Sequence, residues 1–336
     1  MKPHPTSISD IARALGVSPS TVSRALKDHP DISEATRGRI KAFAKEMNYR
    51  PNALALGLRS QRSYTLGVIV PEIVHHFFST LISGIEDLAY SKGYRVMICQ
   101  STEDYQREVL NIQALLDHRV DGLLVAFSKQ TLDFSHFKTV LENQIPMVFL
   151  DRFCKEIETD RVVTDDFQGA KVATNHLIKR GCRKILHLAA PQNLHIGRER
   201  FEGYHQALIE NELPLDDRLV LHCDTSAKLR ALQDHLLVLA KDIDGVFAVN
   251  DFTAISMMQL LQEKGFEIPS RIAVAGFGDD PIATIVRPQL TTVQQKGYEM
   301  GKESARMLIQ RLEKPETQTT PSTRVFPASL KIRESA

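Results

Sequence analysis

From Tyr64 onward, short apolar runs alternate with segments whose apolar residues recur at helical spacing. Thr65 to Val70, Arg95 to Cys99, Gly122 to Ala126, Met147 to Leu150, Lys184 to Leu188, Gly245 to Val249 and Ile272 to Gly276 read as strands. Between them lie stripes such as Phe78, Leu81, Ile82 and Ile85. Several helical segments end in a base followed by glycine (Lys92-Gly93, Arg180-Gly181, Lys264-Gly265), the charge and the C′ residue that close a helix. This alternation predicts an α/β body with parallel sheets. Seven or more strands over roughly 270 residues fit two halves better than one sheet.

Ligands of such sheets bind beyond the carboxyl ends of the strands. The residues expected there are Phe77 and Phe78, Asp151-Arg152, Asn250-Asp251, Gly278-Asp279-Asp280, and Arg198 and Arg200 on the helix after Lys184 to Leu188. An aromatic wall with several Asp, Asn and Arg side chains suits a polyhydroxylated ligand such as a sugar or nucleoside. Taken singly, each pair also fits a helix cap or a packed loop.

The first sixty residues follow a different pattern. Ile8, Ile11, Ala12 and Leu15 form a helical stripe, with Ser7 and Asp10 placed as a capping box. Gly16 permits a tight turn, Ser18 is an N-cap candidate and Pro19 suits the first helical position. Val22, Ala25 and Leu26 then face inward, leaving Ser20, Arg24 and Lys27 on an outer face. Ser33 caps a third helix carrying Ile40, Phe43, Ala44 and Met47 inward. Two helices joined by a short turn, the second exposing small polar and basic side chains, make a helix-turn-helix, in which Arg24 is the candidate reader of a guanine edge. On the helical pattern alone, a three-helix protein-interaction module accounts for it equally well. Charge separates the same way: residues 1–62 carry +6 and the remainder −5, so only the head is suited to a polyanion.

The segment Asn48-Tyr49-Arg50-Pro51-Asn52-Ala53-Leu54-Ala55-Leu56-Gly57-Leu58 makes the pattern specific. Together with Ile8-Ser9-Asp10-Ile11-Ala12, Gly16-Val17-Ser18 and Thr21-Val22-Ser23-Arg24, it resembles the LacI/GalR (lactose repressor) family of bacterial regulators. The body resembles that family's periplasmic-binding-protein-like core through Leu66-Gly67-Val68, Val120-Asp121-Gly122, Asp151-Arg152, Arg200-Phe201-Glu202-Gly203-Tyr204 and Pro288-Gln289-Leu290-Thr291-Thr292. The resemblance implies a sequence-specific regulator that binds a pseudo-palindromic double-stranded DNA operator as a homodimer, under allosteric control by a small ligand, a sugar or a nucleoside. It implies base contacts from Pro19, Ser20 and Arg24, phosphate contacts from Ser18, Thr21 and Ser23, and backbone contacts from Tyr49 and Asn52. Lys27 joins the DNA-binding set through its place on the outward stripe. The resemblance further implies a hinge helix in which Leu58 is the minor-groove wedge and Ala55 lies beside it. Leu56 replaces a common arginine there, and Gly57 lowers helix propensity by about 1 kcal/mol. Effector positions carried over are Phe77, Phe78, Asp151, Arg152, Arg200, Asn250 and Gln295. Where relatives read Gly-Phe-Asp this chain reads Gly276-Phe277-Gly278, and Asp279 is the candidate substitute. No aromatic stands near Asp224-Thr225, where the family often has one.

The expected organisation is therefore a helix-turn-helix domain over 1–50, a hinge helix over 51–62 and a body over 63–336. The body is expected as two lobes, 63–163 with 294–321 and 164–293 with 322–336. No cofactor, metal site or catalytic group is expected. G-x-G-x-x-G fails because Pro281 occupies its third glycine position, no H-E-x-x-H occurs around His75-His76, and the four cysteines form no C-x-x-C pair. No run approaches the roughly 18 apolar residues of a membrane span, and no secretory signal is readable, so a cytoplasmic protein without membrane contact is expected.

Overall fold

A computed structural model describes residues 6–49, 62–314, 316 and 320–336. The hinge helix expected over 51–62, with Asn52, Ala55 and Leu58, falls outside the described residues except for its last position. The chain forms two compact units, Met1–Ser63 and Tyr64–Ala336.

In the first unit, α1 (Ile8–Leu15), α2 (Pro19–Leu26) and α3 (Glu34–Glu46) each start at a serine. The Ser7 hydroxyl accepts from the Asp10 amide at 3.3 Å, and the Asp10 carboxylate accepts from the Ser7 amide at 3.0 Å, so two N-terminal donors of α1 are satisfied reciprocally. Gly16 ends α1 in the left-handed region at φ 66°, where a Cβ is costly. Ser18 accepts from the Thr21 amide at 3.1 Å, and Ser33 from that of Thr36 at 3.4 Å. Ile11, Ala12, Val22, Ala25, Ile40 and Ala44 close the core. Met47, expected to point inward, is 43% exposed because α3 stops at Glu46 and Met47 forms its C-cap, one turn beyond the core.

The second unit contains two six-stranded sheets. The first has the order β11(Thr323–Phe326), β5(Asp160–Thr164), β4(Met147–Leu150), β3(Gly122–Val125), β1(Thr65–Val70), β2(Arg95–Gln100). The second runs β12(Ser329–Lys331), β10(Thr291–Gln294), β9(Ala273–Gly278), β8(Gly245–Ala248), β6(Ile185–Ala189), β7(Val220–His222). Every pair is parallel except β10 with β12. Apolar clusters cover both faces of each sheet, as all-parallel sheets require. The seven expected strands are present. β5, β7, β10, β11 and β12 are additional: they are short or polar, as in Asp160-Arg161-Val162-Val163-Thr164, and none carries an apolar run of four residues.

The chain crosses between lobes near 164–166, 294–297 and 326–329. The third crossing lies later than the expected 321–322, because β11 pairs with β5, Thr323 opposite Arg161 and Phe326 opposite Thr164, and keeps the chain in the first lobe through Phe326.

In the first lobe the helices His76–Ser91 and Gly297–Glu313 touch backbone to backbone. A Cβ on Gly84 would lie 2.0 Å from the carbonyl oxygen of Tyr298, and one on Gly301 1.9 Å from that of Leu81. This contact holds the N-terminal ends of both helices, with Phe77, Phe78 and Gln295, at the edge of the sheet. Gly301→Ala should destabilise the chain by about 1–3 kcal/mol through forced separation of the helices. Urea unfolding measures this, and an unchanged midpoint would show that the helices part freely.

Candidate functional site

On the first unit, Ser18, Pro19, Ser20, Arg24 and Lys27 are exposed, while Thr21 and Ser23 are half-buried. The hydroxyls of Ser20 and Thr21 lie 2.7 and 2.8 Å from that of Ser18, so three hydroxyls cluster at the positive end of α2. The Arg24 side chain is 58% exposed, and among the described residues its ionic contact is a long one of 3.8 Å to Asp31. Behind this face, Asp28 accepts from Lys41 Nζ at 2.6 Å, fastening the turn after α2 to α3. Tyr49 is half-buried against the three-helix core, and burial raises its phenol pKa.

On the second unit, parallel pairing brings the carboxyl ends of both sheets to a cavity of about 370 Å³. Phe77, Phe78, Asp151, Arg152, Arg200, Asn250 and Gln295 all line it. Asp279 does not. Its carboxylate is held by Arg333 at 2.5 Å and Gln294 at 3.0 Å, and its φ of 56° turns the chain so that Asp280 lines the cavity instead. Asp251 lines it too, accepting from the Asp280 amide at 2.8 Å and from the Thr292 hydroxyl. Arg198 instead donates to the carbonyls of Gln192 and Asn193, at 3.0 and 3.2 Å.

Several residues of this cleft escaped the sequence reading. Glu103 stands just past β2, so the strand-end rule that selected Asp151 also selects it. Phe252, next to Asn250-Asp251, supplies an aromatic wall and meets the His75 ring with centroids 5.6 Å apart. His75 and His76, whose spacing gave no metal motif, open the helix after β1 and line the cavity. Behind the lining, Asp166 holds the cavity residue Arg200 and follows β5, a strand without an apolar signature.

The cations of the cleft are held by protein groups. Arg152 donates to both Glu103 oxygens at 2.8 and 2.9 Å and to the Phe127 carbonyl at 2.9 Å. Arg200 donates from Nε to Asp166 at 2.7 Å and from Nη1 to the Val249 carbonyl at 2.6 Å, with its Cζ 3.7 Å from the Phe277 ring centroid. Asp151 Oδ1 and Asp166 Oδ2 are buried with no hydrogen-bond partner among the described residues. Burial pushes the Asp151 pKa up, against the pull of Arg200 and Arg152. Burial likewise raises Asp166 to about 7 despite Arg200, and Asp251 to about 6 despite the Thr292 hydroxyl.

A carboxyl whose folded pKa is raised takes up a proton on folding. That contribution to stability is complete below the unfolded pKa near 3.8 and is lost as pH rises through about 7. Wild-type stability should therefore fall, relative to Asp166→Asn, between pH 4 and 7, by at most about 1.4 kcal/mol per pH unit for one proton. Urea midpoints across that range measure the difference, and parallel profiles would place Asp166 at an ordinary pKa.

Two family descriptions match the chain: bacterial regulatory proteins of the lacI family over residues 7–52, and periplasmic binding proteins and sugar binding domain of the LacI family over residues 63–333. The ribose operon repressor of Halalkalibacterium halodurans is 32% identical over 331 residues, 98% of this chain and 97% of that protein. The transcriptional repressor PurR of Vibrio atlanticus is 32% identical over 312 residues, 91% of this chain and 92% of that one. The transcriptional regulator CelR in complex with cellobiose superposes with a TM-score of 0.75 at 28% identity, over 98% of this chain and 100% of that one. With its serine-capped helix-turn-helix, its two lobes of largely parallel sheet and relatives of full length, this chain belongs to the LacI family of DNA-binding transcriptional regulators.

Proposed function

We propose that the protein is a cytoplasmic repressor that binds a pseudo-palindromic operator as a homodimer and is controlled by an uncharged, hydroxyl-rich ligand, a free sugar, in the interlobe cleft. Support for the ligand class comes from the pairing of the lining charges. The charges of Arg152 and Arg200 are paired with Glu103 and Asp166, while among the described residues a buried oxygen of Asp151 and the buried Arg152 Nε have no hydrogen-bond partner. A cleft whose cations are already neutralised by carboxylates, with one spare donor and one spare acceptor, favours a hydroxyl-rich ligand that can serve both, and disfavours one that brings a phosphate charge. Phe77, Phe78 and Phe252 supply apolar surface for the ring faces of a sugar. The ribose operon repressor and the cellobiose complex of CelR are in keeping with such a ligand. A nucleoside is the second reading, favoured by the same aromatic side chains, against which a planar base can stack.

On the DNA side, Arg24 is proposed as base reader, with Pro19 and Ser20 beside it and Lys27 on the same face. Ser18, Thr21, Ser23 and Tyr49 are proposed as backbone contacts. Ligand and operator are then coupled through the relative placement of the lobes.

Melting of the full chain with free sugars, their phosphate esters and nucleosides tests the ligand class. A free sugar should raise the melting temperature and its phosphate ester should not; a nucleoside hit alone would select the second reading, and a preferred phosphate would overturn both. Asp151→Asn should weaken the hit by about tenfold or more, through loss of a carboxyl oxygen as acceptor, without lowering stability. Unchanged affinity in that variant would move the ligand away from Asp151.

For the head, Arg24→Ala should cost about 1–3 kcal/mol on an operator selected from random duplexes and relax preference at one base pair per half-site. Equal weakening on all sequences would reduce Arg24 to a phosphate contact.

A further inference from the structure

Lys129, just beyond β3 in the first lobe, touches both walls of the cleft with three different groups. Its amide donates to Glu103 at 2.7 Å within its own lobe. Its carbonyl accepts from Asn193 Nδ2 of the second lobe at 2.9 Å, and its ammonium lies 3.5 Å from an Asp224 oxygen, also of the second lobe. Each partner leads to a ligand candidate. Glu103 holds Arg152 on one wall, and the Asp224 carbonyl accepts from Asn250 Nδ2 at 2.9 Å on the other. A polar chain thus runs from Arg152 through Glu103, Lys129 and Asp224 to Asn250.

The position of this chain gives it leverage. The crossings between lobes involve β5, β10, β11 and β12, which gather at one edge of the two sheets. Asp224 follows β7, the edge strand of the second sheet farthest from β10 and β12. A contact made there resists opening about the crossings more effectively than one made beside them. The side chains of Lys129 and Asp224 are only 26% and 11% exposed, so their attraction is less screened than that of a surface pair. Asp224 also binds Lys228 at 2.5 Å, inside its own lobe. Burial opposes its ionisation, but Lys228 and Lys129 together hold its pKa below the usual value.

We infer that Lys129 is a positioning residue that clasps the two lobes at the mouth of the cleft, linking the Arg152 wall to the Asn250 wall so that ligand contact at either one alters closure. Its regulatory meaning rests on the cleft being the effector site. The clasp itself can be measured without ligand, so the two readings fail separately.

Amide hydrogen exchange of the full chain, followed in the segments 126–131, 190–196 and 222–226, tests the clasp. Lys129→Met keeps the backbone bonds to Glu103 and Asn193 and removes only the ammonium. It should speed exchange on both sides of the cleft by roughly three- to tenfold, the range expected for a coupled, half-buried pair. Lys129→Arg should restore wild-type rates. Lys228→Met removes Asp224's partner within its own lobe and should leave segment 126–131 unchanged. Protection of the interior strand 245–248 reports that each variant is folded, with Lys129→Gln replacing the methionine variant if that protection is lost. Unaltered exchange in 190–196 and 222–226 of the Lys129 variant, or the same acceleration at 126–131 from Lys228→Met, would overturn the inference.

Discussion

Parallel pairing is the constraint from which the body follows. Strands that run the same way end on the same edge, and each return must pass over a face of the sheet, so helices cover both faces and the loops at the carboxyl edge are left to bind. Two such sheets, connected by three crossings, set their carboxyl edges around one cavity. Asp151 after β4, Asn250 after β8 and Gly278 at the end of β9 therefore meet there although far apart in sequence. The contact at Gly84 and Gly301 adds precision, because the backbones are already at van der Waals limits and the helix ends bearing Phe77 and Gln295 cannot approach further.

Within the cleft, opposing effects leave a poised set of charges. Burial disfavours ionised Asp151, Asp166 and Asp251; the arginines only partly compensate at the first two, and the Thr292 hydroxyl and Asp280 amide only partly at the third. Buried ion pairs of this kind add little to stability in comparison with apolar packing, yet removing one partner is expensive, so they specify geometry more than they stabilise the fold. Arg200 illustrates this: Asp166, the Val249 carbonyl and the Phe277 ring hold its guanidinium from three sides. A ligand entering such a site meets donors and acceptors already oriented, and less side-chain freedom remains to be lost on binding.

The head is governed by a different economy. Its core is small, and each helix is too short to be stable alone, so the serine caps and the left-handed Gly16 contribute a large share of what defines it. Packing Val22 and Ala25 inward leaves Ser20, Arg24 and Lys27 outward on a surface suited to a groove.

Local features of the sequence determined the three head helices, their caps and seven of the twelve strands, because capping and periodicity are signals within a few residues of their source. They also marked Phe77, Phe78, Asp151, Arg152, Asn250 and Arg200 as residues at the carboxyl ends of strands, while Gln295 was first indicated by resemblance to a family. Only the tertiary structure decided the remainder. β5, β10 and β11 are strands because neighbours pair with them, and no apolar run announces them. Met47 is exposed because the helix stops one turn past its core. Asp279 and Asp280 are adjacent acids that no local rule separates. A positive φ at Asp279 and the guanidinium of Arg333, 54 residues away, send one to a salt bridge and leave the other to the cleft. Ion-pair partners are chosen by three-dimensional proximity in a low-dielectric interior, and neither is encoded in a short window of sequence.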